Sequence, residues 1–101
     1  MSNRLELSEK LREILGSNNV YYNPPESKKM EYDAIRYSKK NITSRFANNA
    51  AYSFSKSYEV IVISRKPDPE VIDKLLSLPY CSFDRYYRAD NLHHNVFTIY
   101  Y

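Results

Sequence analysis

The residues whose types could support chemistry are concentrated near the end of this sequence. His93 and His94 are adjacent, and Asp90 precedes them closely. Imidazole nitrogens and carboxylate oxygens bind zinc, but a tetrahedral site needs further ligands on the same side of the chain. Adjacent side chains point to opposite sides of an extended chain, and the sequence has only these two histidines. We therefore interpret the group as a solvated or hydrogen-bonded loop, and we expect no metal and no cofactor.

Nucleophilic catalysis would need a cysteine or serine beside a histidine that an acid orients. Cys81, His93 and Asp84 have these types, but strand direction gives no reason for them to converge. Cys81 is the only cysteine, so it cannot form an internal disulfide, and an alternating segment predicts a half-buried, inert thiol in a reducing compartment. A glycine-rich phosphate loop is excluded because Gly16 is the only glycine. We expect a protein that is not an enzyme.

The elements that would position these residues follow from the second half of the chain. Tyr58–Ser64 is rich in β-branched and aromatic residues and is apolar on both pleat faces from Val60 to Ile63, which predicts a central strand. Asp68 at the N-cap, Pro69 at the first helical position and Glu70 in the first turn predict a helix, which Pro79 ends. The apolar stripe expected on this helix is Val71, Ile72, Leu75 and Leu76, which Leu78 would extend.

Two more strands are predicted after this helix. Tyr80–Tyr87 alternates along its length, and Val96–Tyr101 is rich in β-branched and aromatic residues. Ala89–Asn95 lies between them and contains Asp90 and Asn91, residue types that favour turns. We expect an antiparallel hairpin whose loop is longer than the tight two-residue type.

The first half of the chain begins with an amphipathic pattern over residues 3–15, followed by Gly16 where a helix C-cap favours positive φ. The apolar residues at helical spacing are Leu7, Leu11, Ile14 and Leu15. Val20–Tyr22 predicts a short strand, and Tyr32–Tyr37 alternates like a half-buried strand. The sequence therefore predicts one helix and two strands before residue 38.

Residues 38–51 have no clear period and predict a long, partly ordered loop. Loops of this length are often functional, so we expect a subunit-contact arm here, with a plain solvated loop as an equal alternative. Tyr52–Ser57 extends the strand that follows. The prediction is an α+β fold: a small mixed, mostly antiparallel β-sheet with two helices packed on it, in the order α-β-β-β-α-β-β.

Length and composition bound the class of protein. The 101 residues suit a single domain, 1–101, with its own core. No window approaches the roughly 18 apolar residues of a membrane span, and the charged N-terminus lacks the features of a signal peptide. The net charge of +3 is modest, and the basic pairs are scattered, so charge alone does not favour nucleic-acid binding.

The chain has eleven tyrosines, a residue type that suits both wide strands and subunit interfaces. One stripe mixes aromatic residues with arginines, as a platform for stacking single-stranded nucleic acid does. Its members are Tyr80, Phe83, Arg85, Tyr86, Tyr87 and Arg88. We interpret half of the rings as core-facing and the arginines as partners of Asp84 and Asp90. The alternating charges also suit contacts between copies of one protein.

One segment carries a family resemblance. Leu78–Tyr101 (LPYCSFDRYYRADNLHHNVFTIYY), preceded by YEVIVISRKPDPEVIDKLLS, resembles the tail terminator or tail completion proteins of long-tailed bacteriophages, which are minor capsid or tail components. The shared pattern is a basic residue and Asp-Pro before the helix, Leu-Pro after it, and then FDR, DNL and FTIYY with His94 between the last two. Upstream, NVYYNPPESKKMEYDAIRYS also resembles the start of the family, and residues 38–51 resemble it least.

The resemblance implies a structural virion protein. Such proteins form hexameric rings that cap the finished tail tube, end its polymerisation and provide the surface that joins the head. The implied partners are other copies of the chain, the tail tube protein and the head completion or connector protein. DNA passes through the ring without being a specific ligand, and no membrane is involved. The implied location is the head-proximal end of the tail in the virion, after assembly in the host cytoplasm.

Candidate contact residues for such a ring come from the 38–51 segment and from the aromatic stripe with its turn. They are Arg45, Phe46, Asp84, Arg85, Tyr87, Arg88 and Asp90. The alternative function is a small nucleic-acid-binding module that uses the surface of Tyr86, Tyr87 and Arg88, and salt-dependent binding would distinguish it.

Overall fold

The computed structural model describes residues 4–25, 29–47 and 50–100, with the backbone alone for 41–47 and 50–56. The elements in chain order are α1 (Arg4–Leu15), β1 (Val20–Tyr22), β2 (Ala34–Ala47), β3 (Ala50–Ser64), α2 (Glu70–Leu76), β4 (Cys81–Ala89) and β5 (Leu92–Tyr100). The described strands form one sheet in the order β1-β2-β3-β5-β4, in which β1 and β2 are parallel and the other neighbours antiparallel. The predicted α+β class and element order are confirmed.

Both helices pack on one face of the sheet and bury the larger of two apolar clusters. Its most enclosed members are Leu7, Leu11, Ile35, Tyr37, Val60, Val62, Leu75 and Phe97. Fully burying an apolar side chain of this size contributes about 1.5–3 kcal/mol relative to leaving it exposed. The other face carries Ile61, Ile63 and Val96, against which Met30, Tyr32 and Leu92 pack. Because β3 supplies both clusters, the predicted central strand is confirmed.

Polar contacts hold the start of α1 on the sheet and close the helix at its end. The Tyr37 hydroxyl, which projects from β2, donates a hydrogen bond to the Arg4 carbonyl at 3.3 Å and is also hydrogen-bonded to the Ser8 hydroxyl. At the other end, Gly16 has a φ of +79°, and its N–H donates to the Arg12 carbonyl at 2.8 Å. The predicted glycine C-cap is therefore confirmed, because this φ is costly for residues that have a Cβ.

The start of α2 differs from the prediction. The N-cap is Pro69, in an extended conformation with ψ of 152°, and no side chain among the described residues caps the helix. The assignment of Asp68 as N-cap is therefore wrong, because Pro69 itself is not yet helical. The Pro69 carbonyl accepts a hydrogen bond from the Ile72 N–H at 3.1 Å, which places the first turn one residue later than expected.

The apolar stripe of α2 is narrower than predicted, since the helix has only seven residues. Val71 and Leu75 are buried, and Ile72 and Leu78 pack partly against the same cluster. Leu76 is 45% exposed and does not belong to the buried stripe. No helix among the described residues has the length and apolar character needed to cross a membrane.

Two predicted loops are shorter than expected. Residues 38–47 and 50–51 lie in β2 and β3, so the expected loop at about 38–51 is strand over these positions. Pairing between β2 and β3 satisfies the backbone N–H and C=O groups of this segment, even though its sequence has no hydrophobic alternation. The expected loop Ala89–Asn95 is a tight turn at Asp90 and Asn91, whose φ angles of 53° and 62° suit a two-residue hairpin.

Candidate functional site

The most exposed element that carries predicted contact residues is β4. It lies at one edge of the sheet, and among the described strands it pairs only with β5. Ser82 to Arg88 are all classed as exposed, so residues on both faces of the strand reach solvent. Phe83 is 48%, Tyr86 46% and Tyr87 37% exposed. The interpretation that half of these rings face the core is therefore wrong, because all three rings reach solvent.

The turn end of the β4–β5 hairpin carries two tyrosine–histidine pairs, one on each face. Tyr86 stacks on His93 with ring centroids 5.9 Å apart, and the Tyr86 hydroxyl is hydrogen-bonded to His93 Nδ1 at 2.6 Å. Tyr87 stacks on His94 at 4.6 Å, and His94 Nδ1 donates to the Leu92 carbonyl at 3.2 Å. The prediction that adjacent histidines point to different sides is confirmed, and each ring is hydrogen-bonded within the hairpin.

The residues considered for catalysis do not converge. Cys81 pairs with Ile99, whereas His93 pairs with Arg88 at the other end of the hairpin. Six residues of strand separate the two positions, which is about 20 Å at roughly 3.3 Å per residue. Burial raises the pKa of the Cys81 thiol to about 11, so the thiol stays protonated near neutral pH. Among the residues that the structure describes, no group of three or more metal-type ligands is found.

Arg85 is the centre of the charged contacts on β4. Its guanidinium donates to Asp84 Oδ2 at 3.0 Å and lies 3.8 Å from Glu59 Oε2 on β3. It also lies 6.0 Å from the centroid of the Tyr87 ring. The expected partnership with Asp84 is therefore present, and Glu59 is an addition that the sequence did not predict. Because Arg85 is 55% exposed, screening makes these ion pairs weak contributors to stability.

Arg88 and Asp90 complete the predicted contact residues of this hairpin. Both are exposed, and neither has an ion pair within the described part of the chain. The expected pairing of Arg88 with Asp90 is therefore not observed. These residues border the turn, so the charges at this end of the hairpin remain open to a partner.

The other predicted contact residues lie on a separate element. Beyond the sheet, β2 and β3 continue as a two-stranded ribbon, which we define as residues 41–47 and 50–56. Pairing with β1 ends at Tyr37, and pairing with β5 ends at Ser57. Arg45 and Phe46 belong to this ribbon, and their side chains lie outside the described residues. The structure thus divides the candidate contacts between the ribbon and β4.

Positive charge concentrates on the β2–β3 hairpin, to which the ribbon belongs, and the sequence analysis did not predict this. Residues 34–58 contain five basic residues and no acidic residue. The basic residues are Arg36, Lys39, Lys40, Arg45 and Lys56. They look scattered along the chain, but β2 and β3 pair antiparallel, so the hairpin brings all five onto one element. The signal available in the sequence was the absence of acidic residues between Asp33 and Glu59.

One buried polar group in the β4–β5 hairpin has no hydrogen-bond partner among the described residues. The side chain of Asn95 is on β5, in register with Tyr86 and Val62, and is only 5% exposed. Its Nδ2 group makes no hydrogen bond among the described residues. An unpaired buried donor costs about 1–3 kcal/mol, so this position stores a small destabilisation beside the exposed strand.

Comparison of the chain with protein-family models, with curated proteins and with solved structures finds no match in any of the three. The geometry of β4 and the ribbon and the sequence resemblance are therefore the basis for a functional proposal.

Proposed function

We propose that this chain is the subunit of a ring that caps the tail tube of a long-tailed bacteriophage. The ring would end tube polymerisation and provide the surface that joins the head. The observation that carries the proposal is β4, a nine-residue edge strand that is exposed on both faces. An unpaired edge of this length is a template for another chain, so it favours an assembly function over catalysis.

The resemblance of Leu78–Tyr101 to tail terminator proteins supports this particular assembly. A closed ring needs two different surfaces on each subunit that meet head to tail around an axis. β4 and the ribbon are two such surfaces. The proposed partners are other copies of the chain, which would form a hexameric ring, together with the tail tube protein and the head completion or connector protein. DNA would pass through the ring, and the protein would reside at the head-proximal end of the tail.

The proposal is tested by solution mass. Light scattering over a concentration series, with and without purified tail tubes, is expected to show either a discrete sixfold mass or a monomer that becomes a stoichiometric ring on tube ends. Tubes already saturated with the same protein provide the matched control, because they leave no free end. A chain that is monomeric at every concentration and does not bind open tube ends would contradict the proposal.

A nucleic-acid-binding module is the second candidate, and two observations favour it. Tyr86 and Arg88 are exposed on one face of β4 and Tyr87 on the other, and residues 34–58 carry five basic residues and no acidic residue. However, one face of each tyrosine ring is already occupied by a histidine. Titration of labelled single-stranded DNA at low and physiological salt decides this case, because neutralised phosphates make binding fall steeply with salt. Absence of binding at low salt would remove the candidate.

A further inference from the structure

The outer edge of β4 offers free backbone groups at known positions. The Tyr100 N–H donates to the Tyr80 carbonyl at 3.0 Å, which fixes the hydrogen-bonding side of the ladder. In an antiparallel pair the bonded positions alternate, and the register shift between Phe83 and Arg85 moves the alternation by one residue on β4. The positions whose N–H and C=O groups face away from β5 are therefore Cys81, Phe83, Tyr86 and Arg88.

The outer edge of β2 is free on the opposite side of the sheet. The Ile35 N–H donates to the Asn19 carbonyl at 2.9 Å, and the Tyr37 carbonyl accepts from the Asn23 N–H at 2.7 Å. These bonds identify the positions of β2 that face away from β3. No described strand pairs with this side beyond Tyr37. The same alternation, carried across the register shift after Lys39, leaves the backbone groups of positions 42 and 44 facing outward.

The two free edges match in length and are compatible in charge. β4 has nine residues, and the free part of β2 spans residues 38–47. The β4 hairpin has two acidic and two basic residues at 84–90, so it does not repel the basic ribbon. A two-stranded ribbon is marginally stable in water, whereas three paired strands are substantially better. Addition of β4 from another copy would supply that third strand.

We infer that neighbouring copies join by strand addition, with the outer edge of β4 in one copy paired to the outer edge of the β2 ribbon segment in the next. The inference rests on the proposed function, because it names the contact through which the ring closes. The two edges differ and lie on opposite sides of the sheet, so the contact is head to tail. The right-handed twist of a continuous sheet supplies a rotation at each junction.

Cysteine cross-linking tests the contact directly. In a Cys81→Ala background, one chain carries Ser44→Cys together with Ser82→Cys, Tyr86→Cys or Arg88→Cys, so that three registers between copies are tested. The copper–phenanthroline oxidation is performed on the ring, with the assembly mass measured in parallel. The expected result is a ladder of covalent oligomers for at least one pair. The chains that carry either single cysteine are the matched controls and are expected to stay uncross-linked.

Each other outcome of the cross-linking has a definite meaning. Dimers formed by a single β4 cysteine alone would show a symmetric β4–β4 contact and overturn the inference. Rings of the expected mass without any ladder would place the interface elsewhere, which overturns the inference and leaves the proposed function standing. No ring with or without tail tubes would contradict the proposed function itself. Protection of the β4 cysteines by DNA alone would favour the nucleic-acid module.

A backbone test separates strand addition from side-chain contact. Tyr86→Pro removes an N–H that faces away from β5, while Tyr86→Thr removes the same side chain and keeps the N–H. The expected result is a more than tenfold higher concentration for half-assembly with the proline than with the threonine. Circular dichroism and thermal melts of both variants check that the monomer is folded. Equal assembly by two folded variants would overturn strand addition.

Discussion

β4 and β5 form one hairpin of two equally long strands, yet their surroundings are opposite. Both strands have nine residues and both are rich in aromatic side chains. Asn95 to Ile99 of β5 are all buried, whereas Ser82 to Arg88 of β4 are all exposed. Among the described strands, β5 has a neighbour on each side and β4 has one. β4 also carries Asp84, Arg85 and Arg88, whereas β5 has no acidic residue, lysine or arginine. Edge position and charged residues together separate the candidate interface strand from the core strand.

The contact between Phe97 and Phe83 is the sharpest test of this contrast. The two rings meet edge to face at 5.6 Å, but Phe97 is fully buried and Phe83 is 48% exposed. Phe97→Ala is expected to lower the free energy of unfolding by about 3–5 kcal/mol through lost burial and a cavity. Phe83→Ala, the matched control, should cost clearly less. Urea unfolding measures both, and equal losses would mean that β4 is as enclosed as β5.

Cys81 is the half-buried first residue of β4. The reactivity of its thiol tests whether the exposed part of β4 starts only after this residue. Its pKa of about 11, against 9.0 for the same group unperturbed, leaves roughly a hundredfold less thiolate below pH 9. We expect modification by a disulfide reagent at pH 8 to be slower by about this factor in the folded protein than in urea. Because unfolding releases the proton between pH 9 and 11, stability should also fall over that range. Fast modification of the folded chain would place Cys81 in the exposed part.

The turn that joins the two strands gives an effect of intermediate size. Asn91 has a φ of 62°, in the left-handed region that asparagine tolerates and β-branched residues do not. Asn91→Val is expected to cost about 1–3 kcal/mol through backbone strain, and Asn91→Gly should be neutral or slightly stabilising. Thermal melts compare the two variants. If valine were tolerated as well as glycine, the tight turn would not hold β4 beside β5.

The smallest stability effect is expected on the exposed strand. Arg85→Gln removes the contacts with Asp84 and Glu59, but solvent screens this 55% exposed side chain. The change in unfolding free energy should therefore stay within about 0.5 kcal/mol and vary little with salt. Urea titrations at two salt concentrations measure it, with Lys74→Gln on α2 as a surface control. A loss of several kcal/mol would mean that β4 contributes to the core through its charges.

Much of the fold could be predicted because local pattern and burial agree there. The helical spacing of Leu7 and Leu11 and the two-sided apolar run at Val60–Ile63 identified α1 and β3. The predictions that failed concern segments whose structure depends on contacts with other parts of the chain or on the local backbone conformation. The ribbon has no hydrophobic period, and the capping residue of α2 depended on the extended conformation of Pro69. For the site, the aromatic and arginine residues of β4 were identified, but their exposure and the contact with Glu59 were not.

The sequence was sufficient to specify the element types and their order. Residue spacing sets which faces are apolar, and glycine, proline and asparagine limit the backbone angles at the ends of elements. The sequence also determined the composition of the aromatic stripe. Three properties come from the tertiary structure: β4 is an edge, five basic residues share the β2–β3 hairpin, and two free edges lie on opposite sides of the sheet. These properties depend on which strands are neighbours, and strand neighbours are chosen by contacts between residues far apart in the chain.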